Sequence, residues 1–157
     1  MSFLGLENKN IVVMGVANRR SVAWSVAEKI IAAKAKPIYV FKDEELLQKN
    51  RSLIGNEAAA FVCNVESEQD MNDFAKNVAK YCNVVDGLFH SIAFANFSEG
   101  QKAFHETLKK DFLQAVDISC FSLLQAVNQL KEMLSEEASV VTMSISTTRI
   151  ASENYGY

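Results

Sequence analysis

The chain has 157 residues, about the length of one domain, and 49% of them are hydrophobic while 22% are charged. Such a composition supports a folded core and argues against wholesale disorder. Sixteen basic and nineteen acidic residues give a formal net charge of −3, so no strongly cationic surface favours nucleic acid as a partner. We expect a single domain over residues 1–157.

The cysteine pattern and the N-terminus indicate the compartment. Cys63, Cys82 and Cys120 are odd in number, far apart and without a C-x-x-C pair, which is typical of free thiols in a reducing environment. Cys63 and Cys120 are expected to be small buried residues. The N-terminus has no basic segment followed by an apolar one, and no apolar run approaches about 20 residues. We therefore expect a cytoplasmic protein without a membrane partner.

Strands and helices alternate along the first half of the chain. Continuous apolar runs predict buried strands over residues 10–16, 37–42 and 59–65. Helical spacing predicts helices over 21–35 and 43–54, and a capping box at 67–70 predicts a third. The expected apolar faces are Val22, Val26, Ile30 and Ile31 in the first helix and Met71, Phe74, Val78 and Tyr81 in the third.

The second half repeats this alternation. It predicts a strand over 85–93, an irregular stretch over 94–102, a long helix over 106–134 and a fifth strand over 138–145. Repeated βαβ units indicate an α/β fold with a Rossmann-like, doubly wound parallel sheet, whose five strands we expect in the order 3-2-1-4-5. Ligands of such sheets bind outside the carboxyl ends of the strands where the order reverses, here between the first and fourth strands.

The stretch 15–23 joins the first strand to the first helix and is the first candidate site. A turn there directs backbone N–H groups and the positive helix end towards the edge of the sheet, which suits a pyrophosphate. Gly15 permits close backbone approach, and Ser21 offers a hydroxyl. Alternatively, Ser21 is only a helix N-cap and Arg19 and Arg20 are solvated, and the usual G-x-G-x-x-G is absent.

Four motifs in order resemble one known family. Residues 14–24, M-G-V-A-N-R-R-S-V-A-W, resemble the cofactor loop of the bacterial enoyl-acyl-carrier-protein reductases, a divergent branch of the short-chain dehydrogenases. Residues 90–95, H-S-I-A-F-A, resemble the fourth-strand motif of that family. Residues 117–122 resemble its D-I-S-x-x-S helix, and Asn154-Tyr155 stands where the family has its active-site tyrosine. The chain is thereby identified as the N-terminal part of a member of this family, truncated after the fifth strand.

The resemblance implies reduction of trans-2-enoyl thioesters on acyl carrier protein by NADH or NADPH, in fatty acid synthesis. Tyr155 is then the catalytic residue. The implied cofactor-binding residues are Gly15, Ala17, Ser21 and Val22 at the pyrophosphate, Lys42 at the adenosine ribose, Asn64 and Val65 at the adenine, and Ser91, Ile92 and Ala93 along the nicotinamide. The implied mouth of the acyl pocket is Phe94, Ala95 and Phe97.

Lys42 bears on which dinucleotide is used. A lysine at the ribose can pair with a 2′-phosphate and favours NADPH, whereas an acidic residue favours NADH. Because Asp43 adjoins Lys42, the preference for NADPH is slight, and the alternative is a solvated lysine. His90 and His105 do not have metal-ligand spacing, so we expect a hydrogen-bonded core histidine, a surface histidine and no metal site.

Two departures from the family pattern predict weak activity. Ile145 stands where the family has another tyrosine, and the lysine of its Y-x6-K pattern would fall beyond Tyr157. An ammonium about 4 Å from a phenol contributes roughly 4 kcal/mol at an effective dielectric of about 20, which lowers a tyrosine pKa by about three units. We expect this fragment to be inactive or impaired; the alternatives are a non-catalytic nucleotide-binding module and the remnant of an interrupted gene.

The end of the sheet also predicts self-association. The fifth strand is expected to be an open edge, so that apolar side chains of the last two strands compete for cover. These side chains are Leu88, Val140, Val141 and Met143. The expected result is a homo-oligomer.

Overall fold

The computed structural model describes residues 4–144 and residue 153. Its centre is a five-stranded parallel sheet in the order β3-β2-β1-β4-β5, which confirms the predicted fold class and strand order. The strands are β1 (Asn10–Met14), β2 (Lys36–Phe41), β3 (Ala60–Val62), β4 (Val85–His90) and β5 (Leu134–Thr142). The helices are α1 (Val22–Ala32), α2 (Glu44–Ile54), α3 (Glu68–Asn72), α4 (Phe74–Ala79), α5 (Lys109–Val116) and α6 (Ser122–Leu130).

Polar side chains fix where the first three helices begin. Ser21 caps α1, and Asp43 caps α2 by accepting a hydrogen bond from the Leu46 N–H at 2.8 Å. Ser67 caps α3: its Oγ accepts from the Asp70 N–H at 3.2 Å and donates to Asp70 Oδ1 at 2.9 Å. The predicted Ser67 N-cap is therefore confirmed, but the reciprocal half of the capping box is not formed, because the Ser67 N–H donates to the Asn64 carbonyl at 2.9 Å and not to Asp70.

Two apolar layers cover the central strands. On one face, Val13 and Tyr39 pack with residues of α1 and α2, including Trp24 and Leu47. On the other face, a second cluster joins the sheet to α3, α4 and α6: Val12, Ile38, Phe61, Met71, Phe74 and Leu130 are among its members. Because successive side chains of a strand point to opposite faces, the continuous apolar runs of β1 and β2 are buried on both sides.

The helix predicted over 106–134 is wrong in its continuity and its end. A short 3-10 helix (Phe104–Glu106) precedes α5, a π-helical turn (Asp117–Phe121) separates α5 from α6, and α6 ends at Leu130. Leu134 instead begins β5 and pairs with Val85. Pairing in the sheet therefore overrides the helical pattern of the last few residues.

Smaller boundary errors have local causes. Gly15 has φ +100°, so β1 stops at Met14 and does not reach residue 16. The helix expected after the capping box breaks at Asp73, and Tyr81 lies beyond α4 with its hydroxyl donating to the Ala60 carbonyl at 2.7 Å. The predicted end of the fifth strand, Ile145, lies outside the described residues.

The buried face of α1 also differs from the prediction. Ala23, Trp24, Ala27 and Ile30 face the sheet, whereas Val22 and Ile31 are exposed. The small side chains of the two alanines occupy the sheet-facing positions, and the tryptophan fills the space beside them.

The cysteine predictions have mixed outcomes. Cys63 is buried, with its Sγ 3.6 Å from the Met71 sulfur, and burial raises the pKa of its thiol to about 12. Cys120 is exposed, so its predicted burial is wrong; the π-helical turn directs its neighbour Ile118 into the protein and leaves Cys120 outside. All three cysteines are free.

Two kinds of feature are absent from the residues that the structure describes. Within residues 4–144 and 153, no helix has the length and apolar character needed to cross a membrane. In the same residues, no three His, Cys, Asp or Glu side chains cluster as metal ligands would.

Candidate functional site

The strand order reverses between β1 and β4, and the residues that follow these two strands contact each other there. The Ser91 N–H donates to the Met14 carbonyl at 3.1 Å. A Cβ atom on Gly15 would lie 2.1 Å from the Ser91 carbonyl oxygen, and Gly15 has φ +100°. Both the contact and the backbone angle require glycine at this position. The loop after β1 is therefore held directly against the end of β4.

A cleft of about 220 Å³ lies above this contact, at the carboxyl ends of β1, β2, β3 and β4. The structure brings together eight of the predicted cofactor residues in its walls: Gly15, Ala17, Lys42, Asn64, Val65, Ser91, Ile92 and Ala93. Phe94, predicted for the acyl pocket, also lines the cleft, together with the buried Ile118. Ser21 and Val22 do not line it and lie at the start of α1.

Ser21 has a local structural role. Its Oγ accepts from the Trp24 N–H at 3.4 Å and donates to the Asn18 carbonyl at 2.7 Å. The Asn18 side chain in turn accepts from the Arg20 N–H at 2.8 Å. Ser21 is thus the N-cap that one interpretation of the sequence proposed. The positive end of α1 nevertheless faces the loop that borders the cleft.

Asn50, which the sequence analysis missed, holds that loop from α2. It is buried, and its Nδ2 donates to the Ala17 carbonyl at 3.3 Å and to the Leu46 carbonyl at 2.9 Å. Its spacing from Leu47 and Leu46 places it on the inward face of α2. A polar residue on that face was the signal that could have identified it.

The loop after β3 is organised around Asn64. The Asn64 N–H donates to Asp70 Oδ2 at 2.8 Å, and the Asn64 side chain accepts from the Glu66 N–H at 3.2 Å. The Asp70 carboxylate therefore supports both the start of α3, through the Ser67 hydroxyl, and the wall of the cleft, through the Asn64 N–H. This arrangement fixes the position of Glu66, which was also missed.

Lys42 leaves the end of β2 and crosses the mouth of the cleft. Its Nζ lies 3.9 Å from Glu66 Oε2 and 5.9 Å from the centroid of the Phe94 ring. The lysine is exposed, but it is not simply a solvated residue, because an anionic and an aromatic neighbour both attract it.

The two internal motifs contact each other at the end of β4. Ser119, in the π-helical turn, accepts from the Phe94 N–H at 2.9 Å and donates to the Phe94 carbonyl at 3.1 Å. Ser122 lies 2.8 Å from His90 Nε2 and donates its own hydrogen to the Ile118 carbonyl at 2.7 Å. The residues of the D-I-S-x-x-S pattern therefore clamp both ends of the H-S-I-A-F-A segment.

His90 lies between two hydroxyl groups. Its Nε2 is 2.8 Å from Ser122 Oγ and its Nδ1 is 3.3 Å from Thr142 Oγ1. Burial lowers the pKa of His90 below its usual value. The predicted hydrogen-bonded core histidine is confirmed, and His105 is exposed as predicted.

A second cavity of about 420 Å³ lies between the end of β4 and α5. Phe94 and Ala95 of the predicted acyl pocket line it, whereas Phe97 is half-buried and lines neither of these two cavities. The buried Asp111 fixes the nearby loop, since its Oδ2 accepts from the Ser98 N–H at 3.0 Å and from the Ser98 hydroxyl at 2.9 Å. The predicted catalytic Tyr155 lies outside the described residues.

Comparison with known proteins gives a consistent assignment. The family described as "Enoyl-(Acyl carrier protein) reductase" matches residues 15–157. The enoyl-[acyl-carrier-protein] reductase [NADPH] FabI of Staphylococcus aureus (strain NCTC 8325 / PS 47) is 33% identical over 97% of this chain and 61% of its own length. The enoyl-[acyl-carrier-protein] reductase [NADH] FabI of Bacillus subtilis (strain 168) is 33% identical over 96% of this chain and 60% of its own length.

A solved structure agrees with these relatives. The Bacillus cereus enoyl-acyl carrier protein reductase, in complex with NADP+ and indole naphthyridinone, superposes with a TM-score of 0.88 at 31% identity, over 96% of this chain and 60% of that one. The chain thus spans about three-fifths of the length of these relatives. The resemblance seen in the four motifs is confirmed, and the chain belongs to the enoyl-(acyl carrier protein) reductase family.

Proposed function

We propose that the cleft at the β1–β4 switch binds NADH or NADPH for the reduction of trans-2-enoyl thioesters carried on acyl carrier protein. The observation that carries this proposal is the contact of Gly15 with Ser91 beneath a cleft walled by the ends of four adjacent strands. Apolar side chains with a few polar groups line the cleft, as they do in many cofactor sites. Family membership supports the chemistry.

The proposed roles follow the order of the strands. Gly15, Ala17, Ser21 and Val22 hold the pyrophosphate, with Ser21 acting through the start of α1. Lys42 meets the adenosine ribose, Asn64 and Val65 border the adenine, and Ser91, Ile92 and Ala93 run beside the nicotinamide. The acyl chain enters past Phe94, Ala95 and Phe97.

We propose a slight preference for NADPH, because Lys42 is a cation at the cleft and a 2′-phosphate is an anion. Relatives of equal identity do not decide the matter, since the Staphylococcus aureus protein is named for NADPH and the Bacillus subtilis protein for NADH.

The bound dinucleotide would supply a hydride to the unsaturated thioester. Tyr155 would stabilise the developing enolate and donate the proton. Without an adjacent ammonium group a phenol holds its proton too tightly to do this well near neutral pH. A polypeptide limited to these 157 residues is therefore proposed to bind the dinucleotide and to be inactive or impaired as a reductase. Its proposed location is the cytoplasm.

Fluorescence titration of the purified chain with NADH and NADPH tests the site. Ala17 is an exposed alanine that lines the cleft, and the larger side chain of Ala17→Phe would occupy part of it. Binding should weaken at least about tenfold, which corresponds to a loss of about 1.4 kcal/mol. Ala79→Phe, at an exposed alanine of α4 outside the cleft, is the control and should bind normally. Equal binding by both variants would reject the site.

An assay on a crotonyl thioester then tests turnover. Tight binding with little turnover supports the proposed impaired reductase, and it is also what a non-catalytic module would give. Brisk turnover would show that Tyr155 needs no neighbouring ammonium group. The absence of both binding and turnover would contradict both the reductase and the nucleotide-binding module.

We also propose self-association of the chain. Groups of large apolar side chains are exposed at β5 and along α5, the π-helical turn and α6. They are Val140 and Val141 on β5, Met143 just after it, and Phe112, Leu113, Val116, Phe121 and Leu124 on the helices. Light scattering across micromolar concentrations should show an oligomer, and a strictly monomeric species would contradict the proposal.

A further inference from the structure

We propose that Glu66 limits the preference for NADPH by competing with a 2′-phosphate for Lys42. The inference rests on the dinucleotide site proposed above and concerns a residue that no motif singled out. Its basis is a chain of polar contacts that crosses the mouth of the cleft from the end of β2 to the loop after β4.

The first contact is between Glu66 and Lys42. The Lys42 Nζ lies 3.9 Å from Glu66 Oε2, which is too long for a hydrogen bond but close enough for an ion pair. The side chain of Lys42 is 57% exposed, so it is able to turn towards another anion. Both residues line the cleft.

Glu66 itself is held in place. Its Oε1 accepts from Gln114 Nε2 at 2.7 Å, and its backbone N–H donates to the Asn64 side chain at 3.2 Å. Gln114 in turn accepts from Asn96 Nδ2 at 2.8 Å. The side chain of Glu66 is only 29% exposed. When Lys42 turns away, the carboxylate therefore stays where it is.

Because Lys42 is able to turn and Glu66 is held in place, the pair affects the two dinucleotides differently. A 2′-phosphate that recruits Lys42 must take it from Glu66 and then carries about −1.5 to −2 charges near a fixed carboxylate. A ribose hydroxyl has no such charge and leaves the ion pair intact. Glu66 thus disfavours the phosphorylated ribose relative to the plain one.

Asp43 is the acidic residue next to Lys42 in sequence, and it has a different structural role. Its Oδ1 accepts from the Leu46 N–H at 2.8 Å as the N-cap of α2, and it does not line the cleft. Glu66 is therefore the carboxylate that competes for the lysine.

The test is calorimetric titration of the full chain with adenosine 2′,5′-bisphosphate and with adenosine 5′-monophosphate, which differ only in the 2′-phosphate. The quantity compared is the affinity for the bisphosphate divided by the affinity for the monophosphate. Glu66→Gln should raise this ratio by up to about fivefold, the effect of one exposed ion pair. The glutamine keeps an oxygen that can accept from Gln114, so the loop is preserved. Glu68→Gln removes the same charge two residues away, outside the cleft, and should leave the ratio unchanged.

Lys42→Met, alone and combined with Glu66→Gln, identifies the mechanism: competition for the lysine predicts that Glu66→Gln raises the ratio less when Lys42 is absent, because only the direct repulsion of the 2′-phosphate is then relieved. An undiminished gain would overturn the competition for Lys42. An unchanged or lower ratio in Glu66→Gln, with adenosine monophosphate still bound, would overturn the role of Glu66 and leave the proposed site standing. Binding of neither nucleotide by the unmodified chain would overturn the site and the role of Glu66 together.

Discussion

The two strands that flank β4 differ sharply in burial, although each pairs with it along its length. In one row across the sheet, Val12, Leu88 and Val140 are 0%, 2% and 43% exposed. In the next row, on the opposite face, Val13, Phe89 and Val141 are 0%, 6% and 49% exposed. Burial therefore falls from β1 to β5 on both faces at once.

The difference follows from where the helices lie. Residues of α1 and α2 cover one face of the inner strands, and residues of α3, α4 and α6 cover the other. The candidate cleft lies over the packed half, since its walls come from the ends of β1 to β4. A binding site gains from such support, because packed strands hold its loops in one arrangement.

The largest expected effect on stability comes from the contact between Gly15 and Ser91, at the ends of β1 and β4. Gly15→Ala adds a Cβ atom 2.1 Å from the Ser91 carbonyl oxygen at a residue with φ +100°. Strain of about 1–2 kcal/mol from the backbone and about 1–3 kcal/mol from overpacking should lower the free energy of unfolding by about 2–5 kcal/mol. Urea denaturation measures this loss.

Gly55→Ala provides the matched control. Gly55 also has a positive φ, +94°, but a Cβ atom there would meet nothing within 4 Å. Only the backbone strain remains, and at φ +94° and ψ 144° it should cost about 1–3 kcal/mol. If both variants lose the same stability, the close contact with Ser91 is not what requires glycine at position 15.

A smaller effect tests the burial gradient itself. Val12→Ala and Val140→Ala remove the same two methyl groups from the same row of the sheet. The first should cost about 1.5–3 kcal/mol, the usual contribution of a buried valine. In protein diluted until it is monomeric, the second should lie within about 0.5 kcal/mol of zero, as at surface sites, and it should grow at concentrations where the proposed oligomer covers β5. Comparable losses in the monomeric protein would contradict the burial gradient.

The fold was predictable because its signals are local. Apolar runs, the turn at Gly15 and the cap residues Ser21 and Ser67 mark the alternation of strands and helices, and the alternation limits the topology. The failures have a different origin. Leu134 leaves its helix because Val85 pairs with it across the sheet, and that contact joins residues far apart in the chain.

In the candidate site, too, the features set by local sequence were predicted and those set by contacts between distant residues were not. The cleft residues on strand ends were predicted from linear motifs, and the structure brings most of them together. The side chains that hold them were missed: Asn50 acts across 33 residues, Gln114 across 48 and Asp111 across 13. No motif contains both partners of such a contact. The partners of these side chains could be identified only from the tertiary structure, although the polar Asn50 on the inward face of α2 was itself a signal in the sequence.

The smallest expected effect concerns His90, which ties β4 to both β5 and α6. Burial lowers its pKa in the folded protein below the value near 6.5 of an unfolded histidine. As the pH falls below about 6.5, the unfolded chain therefore binds a proton before the folded one does. The stability contributed by neutral His90 is complete above that pH and decreases towards the lower folded pKa, by at most about 1.4 kcal/mol per pH unit.

Urea denaturation between about pH 5 and pH 8 should show this slope in the unmodified chain and in His105→Gln, which keeps His90 as the sole histidine. His90→Asn should be less stable at neutral pH, because it loses the hydrogen bonds to Ser122 and Thr142, yet its stability should depend less on pH. The change in slope separates the titration of His90 from a simple loss of packing. An equal slope in both variants would show that the protonation of His90 does not change on unfolding.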